Sequence, residues 1–211
     1  MNDTVLIDVD ADIRAIVRPV VWQTGLIRVI ERDARMDDLL AEAARSMRTA
    51  PEPADVIAAV RTMYKRLGID PTKTRPSSEA LLRRVRRGDA LPRINSLVDI
   101  INWSSLESQL SFGLYDMAHL RGGVTLRRGR DGEEYAGIRK DAVHVAGRIV
   151  LADALGAFGN PTSDSARTMV TSTTVEALVV IYGPVGLSDD VANRARTLTD
   201  QRIAQLCRTV E

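Results

Sequence analysis

Arginine side chains dominate one face of a short helical pattern in the middle of this 211-residue chain. Pro76 suits the first position of a helix, and Gly88 is typical of a helix end. The face opposite to the leucines carries Arg83, Arg84, Arg86 and Arg87. A guanidinium offers a planar fork of donors that matches phosphate oxygens. The pattern therefore indicates either a phosphate-binding patch or a solvated helix face, and both interpretations stay open.

Three further cations flank this helical pattern. Lys73 and Arg75 precede it and Arg93 follows it, so the candidate patch extends beyond both ends. The formal net charge of the chain is only +1, which does not favour binding driven by overall charge. Any nucleic-acid surface must therefore be local, and its affinity for RNA should fall steeply with salt.

A second helical pattern follows and carries a narrow polar stripe. It begins at Asn95, a residue type that caps helix N-termini well. Asn95, Asp99 and Asn102 recur at i, i+4 and i+7, which places them on one side of a helix. The stripe either lines the mouth of a pocket or forms a structural network, since buried polar groups need partners in both cases.

The segment RINSLVDIINW, residues 93–103, resembles a helix of the B3/B4 domain, the tRNA-binding and editing domain of the bacterial phenylalanyl-tRNA synthetase beta subunit. Asp99 and Asn102 match the Asp and Asn of that helix, and Trp103 matches its aromatic residue. The similarity continues through LYDMAHLRGGVTLRRGRDGEEY and RIVLADALGAFG, and it spans residues 75–182. The resemblance implies a free-standing relative that binds tRNA, and it weakly places Arg93 near an arginine of the editing pocket.

A loop rich in hydroxyl groups runs over residues 160–174. In the B3/B4 family that this sequence resembles, the corresponding loop borders the editing pocket. The resemblance therefore implies that Thr168 and Thr171 contact the substrate. Positioning of a water molecule and stabilisation of an oxyanion can hydrolyse an aminoacyl ester without a protein nucleophile. The alternative is a loop whose Ser and Thr side chains cap its own turns.

Two departures from the resembling family argue against unchanged specificity. Gly113 stands where the family has a pocket histidine, and Gly159-Asn160-Pro161 replaces a Gly-Gly-Glu turn. The family's recognition of a tyrosine hydroxyl by those two polar side chains is therefore not expected here.

The composition excludes several classes of site. Cys207 is the single cysteine, so neither an internal disulfide nor a cysteine-based zinc site is expected. His119 and His144 lie far apart without carboxylates at metal spacing, and no cofactor motif or catalytic residue is recognised. No apolar run reaches the roughly 18 residues of a membrane span. We expect a cytoplasmic protein without metal, cofactor or membrane partner.

The remaining periodicity predicts the elements that position these residues. Helices are expected over 36–47 and 56–67, and Ser188 should cap a last helix. Residues 20–22 and 26–30 read as strands around a turn, and Asp131-Gly132 is a strong hairpin signal. Helices followed by many short strands and one helix indicate an α+β fold with mostly antiparallel sheets. The resemblance implies a layered, β-sandwich-like core with packed helices.

These observations lead to a prediction of three ranges and of two alternative functions. Residues 1–74 should pack on a B3/B4-like domain over residues 75–187, and residues 188–211 form the terminal helix. The first function is binding of tRNA, with deacylation of mischarged aminoacyl-tRNA in trans. The alternative is a small-molecule-binding or interaction protein that kept the fold without nucleic-acid or catalytic activity.

Overall fold

A computed structural model of the protein describes residues 7–139 and 141–209. The helices in this part of the chain are α1 (Ala11–Arg14), α2 (Arg35–Thr49), α3 (Ala54–Arg66), α4 (Ser77–Arg86), α5 (Ser96–Ser108) and α6 (Asp189–Leu206). The strands are β1 (Ile7–Val9), β2 (Val17–Gln23), β3 (Phe112–Asp116), β4 (Val124–Arg128), β5 (Glu134–Ala136), β6 (Ala142–His144), β7 (Ile149–Asp153), β8 (Gly156–Asn160), β9 (Ser163–Asp164) and β10 (Ala177–Pro184).

The strands form three sheets. One has the order β1-β4-β7-β8-β9, the second β2-β10-β3, and β5 pairs with β6 alone. Apart from the parallel pair β1–β4, each pairing of these strands is antiparallel. The Tyr115 ring of β3 packs edge-on against Phe158 of β8, with ring centroids 4.9 Å apart, so the two larger sheets meet in one core. The predicted α+β fold with mostly antiparallel sheets is confirmed.

Strand β10 is the centre of the molecule because its eight residues are buried on both faces. β2 pairs with it along its whole length on one side, and β3 pairs with it on the other. Helices α3 and α6 pack against the same strand. Elements from residues 1–74, 75–187 and 188–211 therefore contribute to one hydrophobic core.

The predicted helices are present, and so are the two predicted caps. Asn95 accepts a hydrogen bond from the backbone N–H of Val98 at 2.9 Å, and Ser188 accepts one from Asp190 at 3.3 Å. Each cap satisfies an amide that has no partner within its helix. Pro76 precedes α4 as its N-cap residue, one position earlier than the sequence pattern indicates.

Two predicted strand features are wrong. The turn at Asp131-Gly132 does not close a hairpin, because β4 pairs with β1 and β7 whereas β5 pairs with β6. The carboxylate of Glu133 bridges the turn instead, since it accepts hydrogen bonds from the Arg127 guanidinium and the Arg130 amide. Residues 26–30 form no strand; only Ile27 makes an isolated bridge, with Arg208 near the C-terminus.

Candidate functional site

A cavity of about 360 Å³ lies between the α4–α5 helix pair, the edge of β3 and the chain around β9. Its apolar lining includes Leu81, Val98, Ile101, Phe112, Leu114 and Val170. Its polar lining includes Asn102, Ser105, Arg139, Asn160, Thr162 and Asp164. An apolar pocket with a few convergent polar groups is the usual form of a small-ligand site.

Helix α5 forms one wall of the cavity. Val98, Ile101, Asn102 and Ser105 line it at i, i+3, i+4 and i+7, the spacing that puts side chains on one helix face. The Asn102 side chain is partly exposed there and has no hydrogen-bond partner among the described residues. Of the predicted polar stripe, Asn102 is thus the member that faces the cavity.

Asn95, in contrast, uses its side chain in hydrogen bonds within the protein. It is 5% exposed, caps α5 with its carboxamide oxygen and donates its amide to the carbonyl of Val170 at 3.4 Å. It does not line the cavity. Asn95 instead anchors the start of α5 to the hydroxyl-rich loop at Val170.

Asp99 and Arg93 form a buried ion pair outside the cavity. The Arg93 Nε donates to Asp99 Oδ2 at 2.6 Å, and the backbone N–H of Ile94 donates to Asp99 Oδ1 at 2.8 Å. Arg93 also pairs with Asp37 and donates to the carbonyl of Asp33. Burial opposes the charge of Arg93, but the two carboxylates raise its pKa above the ordinary value. The structure therefore places both predicted ligand-binding residues in a network that fixes the start of α5 to α2.

The predicted phosphate-binding cations divide into two groups. Arg75 pairs with Glu79 at 3.3 Å, Arg86 with Glu52, and Arg87 with Asp89 at 3.4 Å. A carboxylate at this distance reduces the attraction of a guanidinium for a phosphate, although Glu79 is shared with Arg61, which binds it at 2.7 Å. These three arginines are therefore weaker candidates for phosphate contact than cations without a partner.

The second group lacks carboxylate partners. Lys73, Arg83 and Arg84 are exposed and form no ion pair with a described residue. The Arg84 Nε donates only to the carbonyl of Ala90, at 2.5 Å. Because Ser77 and Leu81 line the cavity from α4, Arg84 lies one turn further along the same helix face.

The hydroxyl-rich loop contributes to the cavity through residues that the sequence did not indicate. Met169 and Val170 line the cavity, whereas Thr168 and Thr171 do not. Thr168 is fully buried, and its hydroxyl has no hydrogen-bond partner in the described part of the chain. Thr171 binds Thr174 and Thr173 within its own turn, as the alternative interpretation expects.

Asp164 was missed by the sequence argument. It lines the cavity from β9, and its Oδ1 accepts a hydrogen bond from the Tyr115 hydroxyl at 2.8 Å. The Tyr115 hydroxyl also bonds the Tyr182 hydroxyl at 2.9 Å. Burial raises the pKa of Asp164 to about 7, against the opposing effect of the hydrogen bond from Tyr115. The only sequence signal was a carboxyl group among many hydroxyl groups.

The two departures from the resembling family lie on either side of Tyr115. A Cβ added at Gly113 or at Gly159 would stand 2.4 Å from the Tyr115 hydroxyl oxygen, which is closer than atoms can approach. Only glycine at both positions leaves room for the ring that reaches Asp164. Asn160 closes the neighbouring turn, since its side-chain oxygen accepts hydrogen bonds from the amides of Thr162 and Ser163.

Arg139 is a second residue that the sequence did not indicate. Its backbone lies in the left-handed region with φ +55°, where residues other than glycine are uncommon. The side chain is exposed, lines the cavity and has no ion-pair or hydrogen-bond partner among residues 7–139 and 141–209. Backbone strain of this kind is often found at functional sites.

Two classes of site find no support in the described residues. They contain no group of three or more His, Cys, Asp or Glu side chains that could hold a metal ion. None of their helices is long and apolar enough to cross a membrane.

Comparisons with solved structures and with protein-family models both give matches. The crystal structure of an N-terminal fragment of the phenylalanyl-tRNA synthetase beta subunit from Pyrococcus horikoshii is similar with a TM-score of 0.48 and 11% identity. The match covers 96% of this chain and 49% of that fragment, so the chain spans about half its length. The family model of the B3/4 domain matches residues 59–207, which is well over half of the chain. The chain therefore belongs to the B3/4 domain family.

Proposed function

We propose that this protein binds tRNA and that its cavity receives the acyl group at the 3′ end of an aminoacyl-tRNA. The observation that carries the proposal is the position of unpaired cations beside the cavity, in a chain of the B3/4 family. Arg139 lines the cavity, and Arg84 lies next to the α4 residues that line it. An anionic ligand whose end enters the cavity would meet both guanidinium groups.

The charge distribution supports a small contact with the nucleic-acid backbone. Arg83 and Lys73 extend the unpaired positive charge along and before α4. Since the net charge is only +1, the affinity would come from these few contacts. Each phosphate neutralised adds about −0.7 to −0.9 to the slope of log affinity against log salt. Two to four contacts therefore give a slope between about −1.5 and −3.5.

The cavity also suits hydrolysis of the aminoacyl ester. In that reaction the oxygen of a water molecule bonds to the ester carbonyl carbon, the bond to the ribose oxygen breaks, and a proton passes to that oxygen. Asn102 and Thr162 offer polar side chains at the cavity wall that can orient the water and the carbonyl group. No protein nucleophile is required, and positioning alone can supply much of the rate.

A second candidate function is supported by the paired arginines. Arg75, Arg86, Arg87 and Arg93 each pair with a carboxylate, so four of the seven predicted cations already have an anionic partner. A protein that binds a small amphipathic molecule, without nucleic acid, would need the cavity but not the patch. Binding of tRNA distinguishes the two functions.

The test is a titration of fluorescent tRNA with the purified protein at several salt concentrations. The variant Arg83→Ala/Arg84→Ala should weaken binding and make the salt slope shallower by about 1.5. Its matched control is Arg45→Ala/Arg194→Ala, which removes two exposed arginines from α2 and α6, helices that do not line the cavity. A salt slope near zero, or equal losses in both variants, would remove tRNA binding and leave the second function.

Hydrolysis is tested separately with a panel of mischarged tRNAs. Release of the amino acid above the spontaneous rate, lost in Asn102→Ala, supports deacylation. If tRNA binds but no member of the panel is hydrolysed, the protein is a binding module.

A further inference from the structure

Asp164 is a partly buried carboxyl group in the cavity wall, and it has no cationic partner among residues 7–139 and 141–209. The Tyr115 hydroxyl is the only donor to its side-chain oxygens among the described residues. Arg139 lines the same cavity but forms no ion pair with Asp164. One carboxyl oxygen next to the open volume of the cavity is thus without a partner in the part of the chain that the structure describes.

Three other buried carboxylates of the fold are paired with arginine. Asp33, Asp99 and Asp153 have side chains that are 5%, 1% and 0% exposed, and each has an arginine nitrogen at 2.6 to 2.9 Å. Such pairing is expected, because an unpaired charge in an apolar site is strongly unfavourable. Asp116, which is also buried, has no arginine partner among the described residues but accepts hydrogen bonds from the Thr174 hydroxyl and the Ala118 amide. Asp164 differs from these four carboxyl groups because it lines a cavity in which a ligand can supply a cation.

The residues around Asp164 limit the size and polarity of a cation that can bind there. Phe112 and Leu114 of β3 and Ile101 of α5 line the same cavity, so a bound molecule needs an apolar part. The volume of about 360 Å³ is at the lower end of the range for small-ligand pockets. A compact cation, such as an ammonium group on an apolar substituent, satisfies both the charge and the shape.

We propose that Asp164 binds the protonated primary amine of a ligand whose apolar substituent fills the cavity between α5 and β3. If the ligand is an aminoacyl ester, the amine is the α-ammonium group of the esterified amino acid. That identification rests on the proposed function, whereas amine binding itself does not. Asp164 is then a specificity-determining residue that accepts amino compounds and rejects their neutral analogues.

Binding of an amine should depend on pH through Asp164. Among the described residues, the titratable groups that interact with it are Tyr115 of β3, Tyr135 of β5 and Tyr182 of β10, and Arg139 is the charged residue that lines the same cavity. Burial raises the pKa of all three tyrosines, so they stay neutral near pH 7. An alkylamine also stays protonated there. Amine affinity should therefore rise as the pH increases through about 7, where Asp164 ionises.

The experiment measures binding of amine–alcohol pairs by calorimetry and ligand-observed NMR. The series is butylamine, 2-phenylethylamine and tryptamine, each compared with the alcohol that has a hydroxyl in place of the amine. At pH 8 the best amine should bind about tenfold or more tightly than its alcohol, since a hydrogen bond to a charged group is worth that much. The variant Asp164→Asn keeps the shape and should abolish the preference.

The control is Asp190→Asn, which makes the same change at an exposed position of α6, outside the cavity lining. It should keep the amine preference of the wild type. The variant Tyr115→Phe, which removes one hydroxyl and keeps the carboxyl, should retain a preference for amines with a higher midpoint pH.

Three results would overturn the proposal: equal binding of each amine and its alcohol, no binding of any member of the series, or an unchanged preference in Asp164→Asn. None of these results depends on tRNA. Failure of the tRNA titration with an intact amine preference would remove the proposed function alone.

Discussion

The carboxyl groups on the helical side and on the strand side of the cavity differ in how many protein partners they have. On the helical side, Asp99 is 1% exposed and is held by Arg93 and by the amide of Ile94. On the strand side, Asp164 lines open volume, and the Tyr115 hydroxyl is the single donor that the described residues offer to its carboxyl group. On the helical side the polar groups bind one another and fix α5. On the strand side the carboxyl group of Asp164 can still bind a ligand. The difference separates residues that build the cavity from residues that can act in it.

The largest expected loss of stability comes from removing the ion pair between Arg93 and Asp99 on the helical side. Arg93→Ala leaves the buried carboxylate of Asp99 without its cation, and removal of one partner of a buried pair costs about 3–5 kcal/mol. Urea denaturation followed by circular dichroism measures the free energy of unfolding. Asp164→Asn, the corresponding change on the other side, should leave that free energy unchanged or raise it. A loss below about 1 kcal/mol in Arg93→Ala would show that the pair is not structural.

A smaller loss is expected where Tyr115 passes between two glycines. Gly159→Ala or Gly113→Ala places a methyl group 2.4 Å from the Tyr115 hydroxyl oxygen, so the buried ring must move away from Asp164. Overpacking of this kind typically costs about 1–3 kcal/mol. Thermal and urea unfolding should both report the loss.

The matched control for these glycines is Gly123→Ala. A Cβ at Gly123 meets nothing within 4 Å, and its φ lies outside the left-handed region, so the change should be nearly neutral. Equal stability of Gly159→Ala and Gly123→Ala would show that the ring does not occupy this space.

The next prediction concerns how stability depends on pH through Asp164. Burial raises the pKa of Asp164 to about 7 from its ordinary value of 3.8, so the folded state binds more protons than the unfolded state between these values. Stability must therefore fall as the pH rises through this window. Because each unit by which the two pKa values differ is worth about 1.4 kcal/mol, a gap of at least about 1 kcal/mol should open between wild type and Asp164→Asn.

Urea denaturation at pH 4.5, 6 and 8 checks this sign. The unfolding free energy of Asp164→Asn minus that of wild type should increase with pH. A constant difference would place the pKa of Asp164 near its unfolded value and contradict the burial of its carboxyl group.

The helical side of the cavity could be predicted from sequence because its signals are local. The cap at Asn95 and the apolar residues that follow it define α5 within one stretch of chain. The same stretch placed Asn95, Asp99 and Asn102 on one stripe. It could not show that two of them would be satisfied by Arg93 and Val170, since those partners depend on how α5 packs.

The strand side could not be predicted, because its chemistry arises from contacts between distant strands. Tyr115 reaches Asp164 only because Gly113 of β3 and Gly159 of β8 come together on either side of its ring. In the sequence, Gly113 and the segment 159–161 indicated the loss of two polar side chains. The structure shows that Gly113 and Gly159 make room for another polar network. The local signal at Asp131-Gly132 likewise indicated a turn but not the strands that it joins.

The smallest expected effect concerns two residues with a left-handed backbone, one on each side of the cavity. Gln109 ends α5 with φ +56°, is 1% exposed and donates its amide to the carbonyl of Leu106 at 2.6 Å. Arg139 has φ +55° on the strand side but no partner for its guanidinium among the described residues. A left-handed conformation costs a residue with a Cβ about 1 kcal/mol, and glycine avoids that cost. Gly therefore relieves strain at both positions, but only at Gln109 does it also remove a buried side chain and its hydrogen bond.

We accordingly expect Arg139→Gly to change the free energy of unfolding by between zero and about +1 kcal/mol, and Gln109→Gly to lower it. Urea denaturation of both variants measures the difference. Arg139→Gly should at the same time weaken tRNA binding several-fold, because the cation next to the cavity is gone. If it destabilises the protein as much as Gln109→Gly does, Arg139 holds the fold together, and the strand side is no more available to a ligand than the helical side.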